Sequence, residues 1–156
     1  MTVLIDSWAW IEYWKGGEFA KEAAAFIEGD EESVVSTVNL AEVYYWIAKH
    51  YDDHTAKNKL LTVEGRCHVI PVEKGIAIEG AKIKTESRLG LADSLILATA
   101  RHTHATVVTG DPDMKELKDV VLLQEFRSKK LGKSMFGSNP GLGSFKRKDE
   151  LESHES

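Results

Sequence analysis

Two rhythms of apolar positions alternate along the chain. Short blocks rich in β-branched residues recur at Val3-Leu4-Ile5, Ser33-Val34-Val35-Ser36, His68-Val69-Ile70, Thr106-Val107-Val108-Thr109 and Val120-Val121-Leu122-Leu123. Each is too short for a helix and suits a pleated surface, so five strands are expected. Between them the apolar residues fall three or four apart, the period of a helix with one buried face. Trp8, Ile11 and Trp14 follow the first strand at that spacing, until Gly16-Gly17 breaks it. Residues 19–28 pack through Ala23, Ala24, Phe26 and Ile27, and Gly29-Asp30 stops them. Residues 37–51 carry Val38, Leu40, Ala41, Val43, Tyr44, Trp46, Ile47 and Ala48. Residues 56–63 and 73–88 are further helices, with Pro71 closing the third strand between them.

The run Leu91-Ala-Asp93-Ser-Leu-Ile-Leu-Ala-Thr-Ala is almost wholly apolar after Asp93, which predicts a buried helix with Asp93 in its first turn. A polar turn over residues 102–105 leads into the fourth strand. The turn Gly110-Asp111-Pro112-Asp113 and a helical turn over residues 114–117 precede the fifth. Strands that are nearly continuous apolar runs, separated by helices, imply a parallel sheet covered on both faces. The expected architecture is a single α/β domain over residues 1–126. From residue 127 to 156 the composition shifts to Gly, Ser and Lys with no apolar period, the mark of a tail rather than a domain. Docking on a neighbouring chain is the expected way for that tail to become ordered. No internal repeat is present.

Composition narrows the class. With 42% hydrophobic and 29% charged residues, 156 residues are enough for one real core. Cys67 is the only cysteine, which leaves no internal disulfide and fits a reducing interior. The first residues lack a basic leader segment, and no apolar stretch has the length of a membrane span. A cytoplasmic protein is the expectation, with no membrane partner. The scarcity of Gln and Asn beside abundant Glu and Lys hints at heat adaptation. Charge is uneven: residues 127–156 carry a net +3 and the rest −8. An acidic body attracts polyanions poorly, so such a substrate needs a metal ion, a local basic patch or the tail.

Candidate chemistry lies with the acids. Asp6 and Asp111 each end a strand, while Glu42 and Asp93 each lie early in a helix. In a right-handed doubly wound sheet all four can converge at one edge, where strand order reverses. Carboxylates crowded together repel, and a divalent cation between them makes the arrangement tolerable. Oxygen ligands suit Mg²⁺ or Mn²⁺ rather than zinc, and such ions activate water against a phosphodiester. A lone Asp after a strand is more often a turn or cap residue, and Asp113 in Asp-Pro-Asp reads that way. Glu42 among apolar residues is harder to explain so.

The series Val-Leu-Ile-Asp6, Ser36 leading to Glu42, Leu-Ala-Asp93-Ser-Leu-Ile-Leu-Ala-Thr-Ala and Val-Val-Thr109-Gly110-Asp111-Pro-Asp113 resembles the PIN-domain ribonucleases over residues 3–124. It is most similar to the small toxins of VapBC-type toxin–antitoxin pairs. The resemblance implies a five-stranded parallel sheet in the order 3-2-1-4-5. It also implies an Mg²⁺- or Mn²⁺-dependent endoribonuclease, an RNA substrate, an antitoxin partner and a homodimer. Asp6, Glu42, Asp93 and Asp111 match the family's catalytic, metal-holding acids, Asp113 a common accessory acid, and Thr109 the small hydroxyl residue beside the metal. The expected products carry 5′-phosphate and 3′-hydroxyl ends. Trp8 stands where the family often has a small polar residue, and the tail exceeds the usual toxin length. A non-catalytic PIN-like RNA- or protein-binding module is the alternative; such relatives typically lose an acid, and all four are present.

Other motifs compete less well. His50 and His54 share a helical spacing but lack a third zinc ligand, and the helix ends there. His102 and His104 sit two apart and suit a helix C-terminus. Trp8, Trp10, Trp14 and Trp46 read as core or partner contacts before base-stacking platforms. Lys129, Lys130, Lys133 and Lys146-Arg147-Lys148 read as a solvated tail before a phosphate grip. A receiver-like signalling module would need a second acid after Asp6 and a Lys after the last strand, where Ser7 and Gln124 stand.

Overall fold

The computed structural model describes residues 1–129, and side chains to Phe126. Five strands, β1 (Thr2–Ile5), β2 (Glu32–Ser36), β3 (His68–Ile70), β4 (Thr106–Thr109) and β5 (Val120–Leu122), form one sheet in the order β3-β2-β1-β4-β5. Every pairing is parallel. This is the expected α/β architecture and strand order. Helices α1 (Ser7–Lys15), α2 (Ala20–Ile27), α3 (Thr37–His50) and α4 (Asp53–Arg66) connect β1 to β2 and β2 to β3. Helices α5 (Lys74–Glu86) and α6 (Leu91–His102) carry the chain back from β3 to β4, and α7 (Leu123–Lys129) follows β5.

Alternation along β1 explains the two layers. Val3 and Ile5 point into one core with Val35, Val108, Ala9, Trp10, Val43, Ile47 and Val63. Leu4 points the other way, into a core with Val34, Val107, Ile83, Ile96 and Leu97. The first two crossovers run in one direction across the sheet and place α1 to α4 on one face. The third reverses direction, and a right-handed connection then puts α5 and α6 on the opposite face. Reversal opens a crevice at the carboxyl ends of β1 and β4, the switch point where parallel sheets take ligands.

Local chemistry sets the ends of these elements. Gly16 adopts φ 62° after α1, and the N–H groups of Gly16 and Gly17 donate to the Tyr13 and Glu12 carbonyls. The Glu12 carboxylate then accepts from the Phe19 N–H, fixing the α1–α2 turn. Arg66 at the end of α4 donates to the carbonyls of Phe26, Ile27 and Glu31 and to Ser33 Oγ. It thereby ties the orphan carbonyls at the end of α2 to the start of β2. His104, at φ 53°, closes α6: its N–H reaches the Arg101 carbonyl and that of Ala105 the Ala100 carbonyl. The polar turn expected at 102–105 therefore starts one residue later, with His102 still helical.

Three elements differ from the sequence reading, and the first is the helical turn expected over residues 114–117, which lies at Pro112–Met114 because Asp111 caps it by accepting from the Asp113 N–H. Helix α4 begins at Asp53 and not at residue 56, because Asp52 caps it by accepting from the Thr55 N–H at 2.6 Å. Leu123, read as the last residue of a strand, opens α7, where Phe126 packs on Phe26 with ring centroids 5.0 Å apart. Two apolar positions three apart were too few to reveal that helix. It reaches Lys129, three residues past the expected domain boundary at 126; the remainder of the tail lies outside the described residues. Among the described residues no helix is long and apolar enough to cross a membrane.

Candidate metal centre

Asp6 ends β1 in an extended conformation, and α1 starts at the next residue. Buried to 4% exposure, its carboxylate accepts Thr109 Oγ1 at 2.7 Å on Oδ2 and Asn39 Nδ2 at 3.1 Å on Oδ1. Thr109 is the last residue of β4, directly beside β1, so sheet pairing alone delivers the first donor. Asn39 comes from the first turn of α3. The pair Ser36–Asn39 forms a capping box there, with the Ser36 hydroxyl accepting from the Val38 N–H and Asn39 Oδ1 accepting from the Ser36 N–H. The amide that caps the helix thus uses its other end on Asp6 and on Ser7 Oγ, at 2.9 Å.

Ser7 passes the network on by donating to Glu42 Oε1 at 2.8 Å. Glu42 stands one turn beyond Asn39 on α3, and Asp93 stands in the first turn of α6. Asp111 follows β4; its N–H donates to Thr109 Oγ1 at 3.0 Å and its carboxylate accepts from the Asp113 N–H. Asp6, Glu42, Asp93 and Asp111 line one open cleft of about 280 Å³ together with Ser7, Trp8, Ile11, Tyr45 and Trp46. The structure therefore brings four of the five sequence-nominated acids around one space. Asp113 lies outside that lining, exposed in the 3₁₀ turn Pro112–Met114.

The electrostatics follow from this crowding. Burial raises the Asp6 carboxyl from 3.8 to about 6; the Thr109 hydrogen bond lowers it, and the charges of Glu42 and Asp111 push it up again. Asp93 also rises to about 6, through desolvation first and then the charges of Asp111, Asp6 and Asp113. Glu42 is raised by desolvation, partly offset by the Ser7 hydrogen bond, with Asp93 and Asp111 adding repulsion.

Such a set suits a hard divalent cation. The donors are carboxylate oxygens, with hydroxyl and amide groups fixing their orientation, and among the described residues no thiolate or imidazole lines the cleft. Among the described residues, no three His, Cys, Asp or Glu side chains form a ready-made ligand cage. Mg²⁺ does not need one, since it keeps several waters and takes one or two carboxylates.

Three contributors escaped the sequence reading. Asn39 had a usable signal, a polar residue three after Ser36 and three before Glu42, on the same helical face. Ser7 was read as a strand terminator, and Gln124 served only to argue against a receiver module. Gln124 donates to the Gly110 carbonyl at 2.9 Å and so steadies the loop that carries Asp111. Gly110 itself packs under Trp8: a Cβ there would fall 2.2 Å from the indole. The histidine pairs take other roles. His50 stacks on Trp46 at 4.2 Å and His54 meets Asn58, so the two share no ligand site.

The profile of the PIN domain family matches residues 3–120. A solved toxin–antitoxin complex from Klebsiella pneumoniae superposes with TM-score 0.64 at 24% identity, over 78% of this chain and 97% of that one. The sarcin–ricin-loop-cleaving toxin VapC20 of Mycobacterium tuberculosis gives 0.64 at 13% identity, over 76% and 96%. VapBC2 of Rickettsia felis, bound to a promoter DNA fragment, gives 0.62 at 20% identity, over 78% and 97%. No curated protein matches the sequence.

Proposed function

The chain belongs to the PIN-domain family, and from that premise we propose that it is a metal-dependent endoribonuclease, the toxin of a toxin–antitoxin pair. The observation that carries this reading is the cleft at the β1–β4 switch point. It gathers Asp6, Glu42, Asp93 and Asp111, and the charges of neighbouring acids add to the rise of Asp6, Glu42 and Asp93. The likeness of the fold to toxin–antitoxin structures supports the partner assignment. In this reading the protein acts on RNA in the cytoplasm, works as a homodimer and is held in check by an antitoxin.

Asp6, Glu42, Asp93 and Asp111 would hold Mg²⁺ or Mn²⁺, with Asp113 nearby as an added negative charge. The ion, once bound, supplies positive charge against the phosphate and makes water more acidic. The chain's own residues do the positioning. Thr109 and Asn39 each occupy one lone pair on one oxygen of Asp6, fixing the carboxylate plane while leaving the remaining lone pairs for the ion. Ser7 does the same at Glu42 Oε1. In this reading Ser7, which donates to Glu42 and accepts from Asn39, positions the acids while water is the attacking group. Hydrolysis by water, leaving 5′-phosphate and 3′-hydroxyl ends, fits that arrangement.

The test is cleavage of single-stranded RNA by wild type and Asp93→Asn, with Mg²⁺ or Mn²⁺ and with EDTA. Wild type should cut only with the ion, and the folded variant should lose at least a hundredfold in rate. Equal rates for both proteins would overturn the assignment.

A further inference from the structure

Gly110 is a glycine for want of space, not for its backbone angles. Glycine is required where the chain turns left-handed, and among the described residues the glycine that does so is Gly16. Gly110 adopts a backbone open to other residues, but a Cβ there would overlap three atoms of the six-membered ring of Trp8. The indole therefore lies directly on the buried backbone that leads into Asp111. It has little freedom to step back. Trp8 is the second residue of α1, and the first turn is anchored by the Ala9 and Trp10 N–H groups donating to the Asp6 carbonyl. Phe19 backs the indole, with ring centroids 6.5 Å apart, and the Phe19 N–H is itself held by the Glu12 carboxylate. The same indole lines the cleft that contains Asp111.

Resting on the cation-site reading of the cleft, we infer that Trp8 is a positioning residue for Asp111: its indole, seated on Gly110, sets where the Asp111 carboxylate enters the site. Consecutive residues then each serve a different acid. Asp6 brings its own carboxylate, Ser7 donates to Glu42, and Trp8 reaches Asp111 through the Gly110 backbone. The Asp111 loop needs such a support. Its N–H donates to Thr109 Oγ1 at 3.0 Å, and the Gly110 carbonyl accepts from Gln124 Nε2 at 2.9 Å. These bonds hold the two edges of the peptide and leave the loop able to pivot about them. The ring against the Gly110 Cα closes the remaining direction, toward α1. Partners that orient a metal ligand without touching the metal matter to affinity, typically by about 10–100-fold when removed.

The experiment compares full-length wild type, Trp8→Leu, Gly110→Ala and the double variant. It reads the Mn²⁺ dissociation constant by titration calorimetry, exchange of the Asp111 amide hydrogen in EDTA, and the melting temperature. Leucine keeps an apolar group beside Phe19 and vacates the space over Gly110. Trp8→Leu should weaken Mn²⁺ binding about tenfold and speed Asp111 exchange by about as much. The amides of Val107 and Val108, inside β4, should exchange as in wild type. Gly110→Ala should weaken Mn²⁺ by about tenfold or more and lower the melting temperature. In the Trp8→Leu background the same change should cost less than about twofold, because the new Cβ enters the vacated space. Additive losses overturn the inference, as does Gly110→Ala with wild-type stability and affinity. So does a Trp8→Leu that only melts earlier, with Mn²⁺ affinity and Asp111 exchange unchanged, since that is a packing role alone. If Gly110→Ala fails to fold, the double variant should fold again, and its failure to do so counts against the inference. A wild type that binds no Mn²⁺ sinks the cation-site reading, and Asp111 exchange in EDTA then decides the role of Trp8 by itself. Normal Mn²⁺ binding that ignores Trp8 does the reverse.

Discussion

The two sides of the acidic cleft are built differently. On the β1–α3 side, Asp6, Ser7, Asn39 and Glu42 form one unbroken set of hydrogen bonds, and Asp6, Ser7 and Asn39 are buried. On the other side, Asp93 is half-buried and its carboxylate makes no hydrogen bond among the described residues, while Asp111 and Asp113 sit in a loop held through Thr109 and Gln124. The fixed side determines where negative charge is placed before anything binds; the open side leaves carboxylates able to turn toward a ligand. Loss of a fixed-side group should therefore cost stability. Loss of an open-side group should cost ion binding and little else.

The largest stability effect should come from Asn39→Ala. It removes the acceptor for the Ser36 N–H and the donors to Asp6 and Ser7, all buried. A loss of about 3 kcal/mol is expected in urea denaturation, since each unsatisfied buried group costs about 1–3 kcal/mol. A loss under about 1 kcal/mol would mean the two sides do not differ. Thr109→Val comes next, at about 2 kcal/mol, because the same shape is kept while the donor to Asp6 and the acceptor for the Asp111 N–H disappear. Its Asp111 loop should also exchange amide hydrogens faster than wild type.

Acidity gives a smaller, signed effect. Asp6 and Asp93 are raised from 3.8 to about 6 in the fold, so between those values the folded protein binds more protons than the unfolded chain. In EDTA, this pair should make stability fall as pH rises from about 4 to 6 and level off above. Asp93→Asn should flatten that slope; an unchanged slope would show that Asp93 does not report on the crowding. At pH 7 in EDTA the same variant should melt at or slightly above wild type, within about 1 kcal/mol, because it removes one of several neighbouring like charges.

How far the sequence could be read follows the same division. Five short, β-branched apolar blocks and the helical spacers between them were enough for the sheet, because their length and composition set them apart from the longer Ala- and Leu-rich run of α6. Asp6, Glu42, Asp93 and Asp111 were visible as acids at strand ends and helix starts, and the resemblance over residues 3–124 tied them together. The supports were less visible. Asn39 and Ser7 are ordinary polar residues until the β1–α3 packing brings them 2.9 Å apart. Helix α7 was hidden because, among its described residues, Leu123 and Phe126 are the apolar ones that pack on the core, and the aromatic residues of the cleft because Trp46 shares its period with the buried Val43 and Ile47. Spacing tells which residues share a face; it does not tell which face borders a cleft.

The claim underneath these comparisons is that the cleft is a divalent-cation site centred on its open-side acid. Paired thermal melts of wild type, Asp93→Asn and the distant control Asp30→Asn, in EDTA and in Mn²⁺, test it most directly. At a hundredfold excess over the dissociation constant, Mn²⁺ should stabilise wild type and Asp30→Asn by about 2.7 kcal/mol through mass action. Asp93→Asn should gain well under half of that. A full Mn²⁺ gain in Asp93→Asn, equal to the control, would contradict the account.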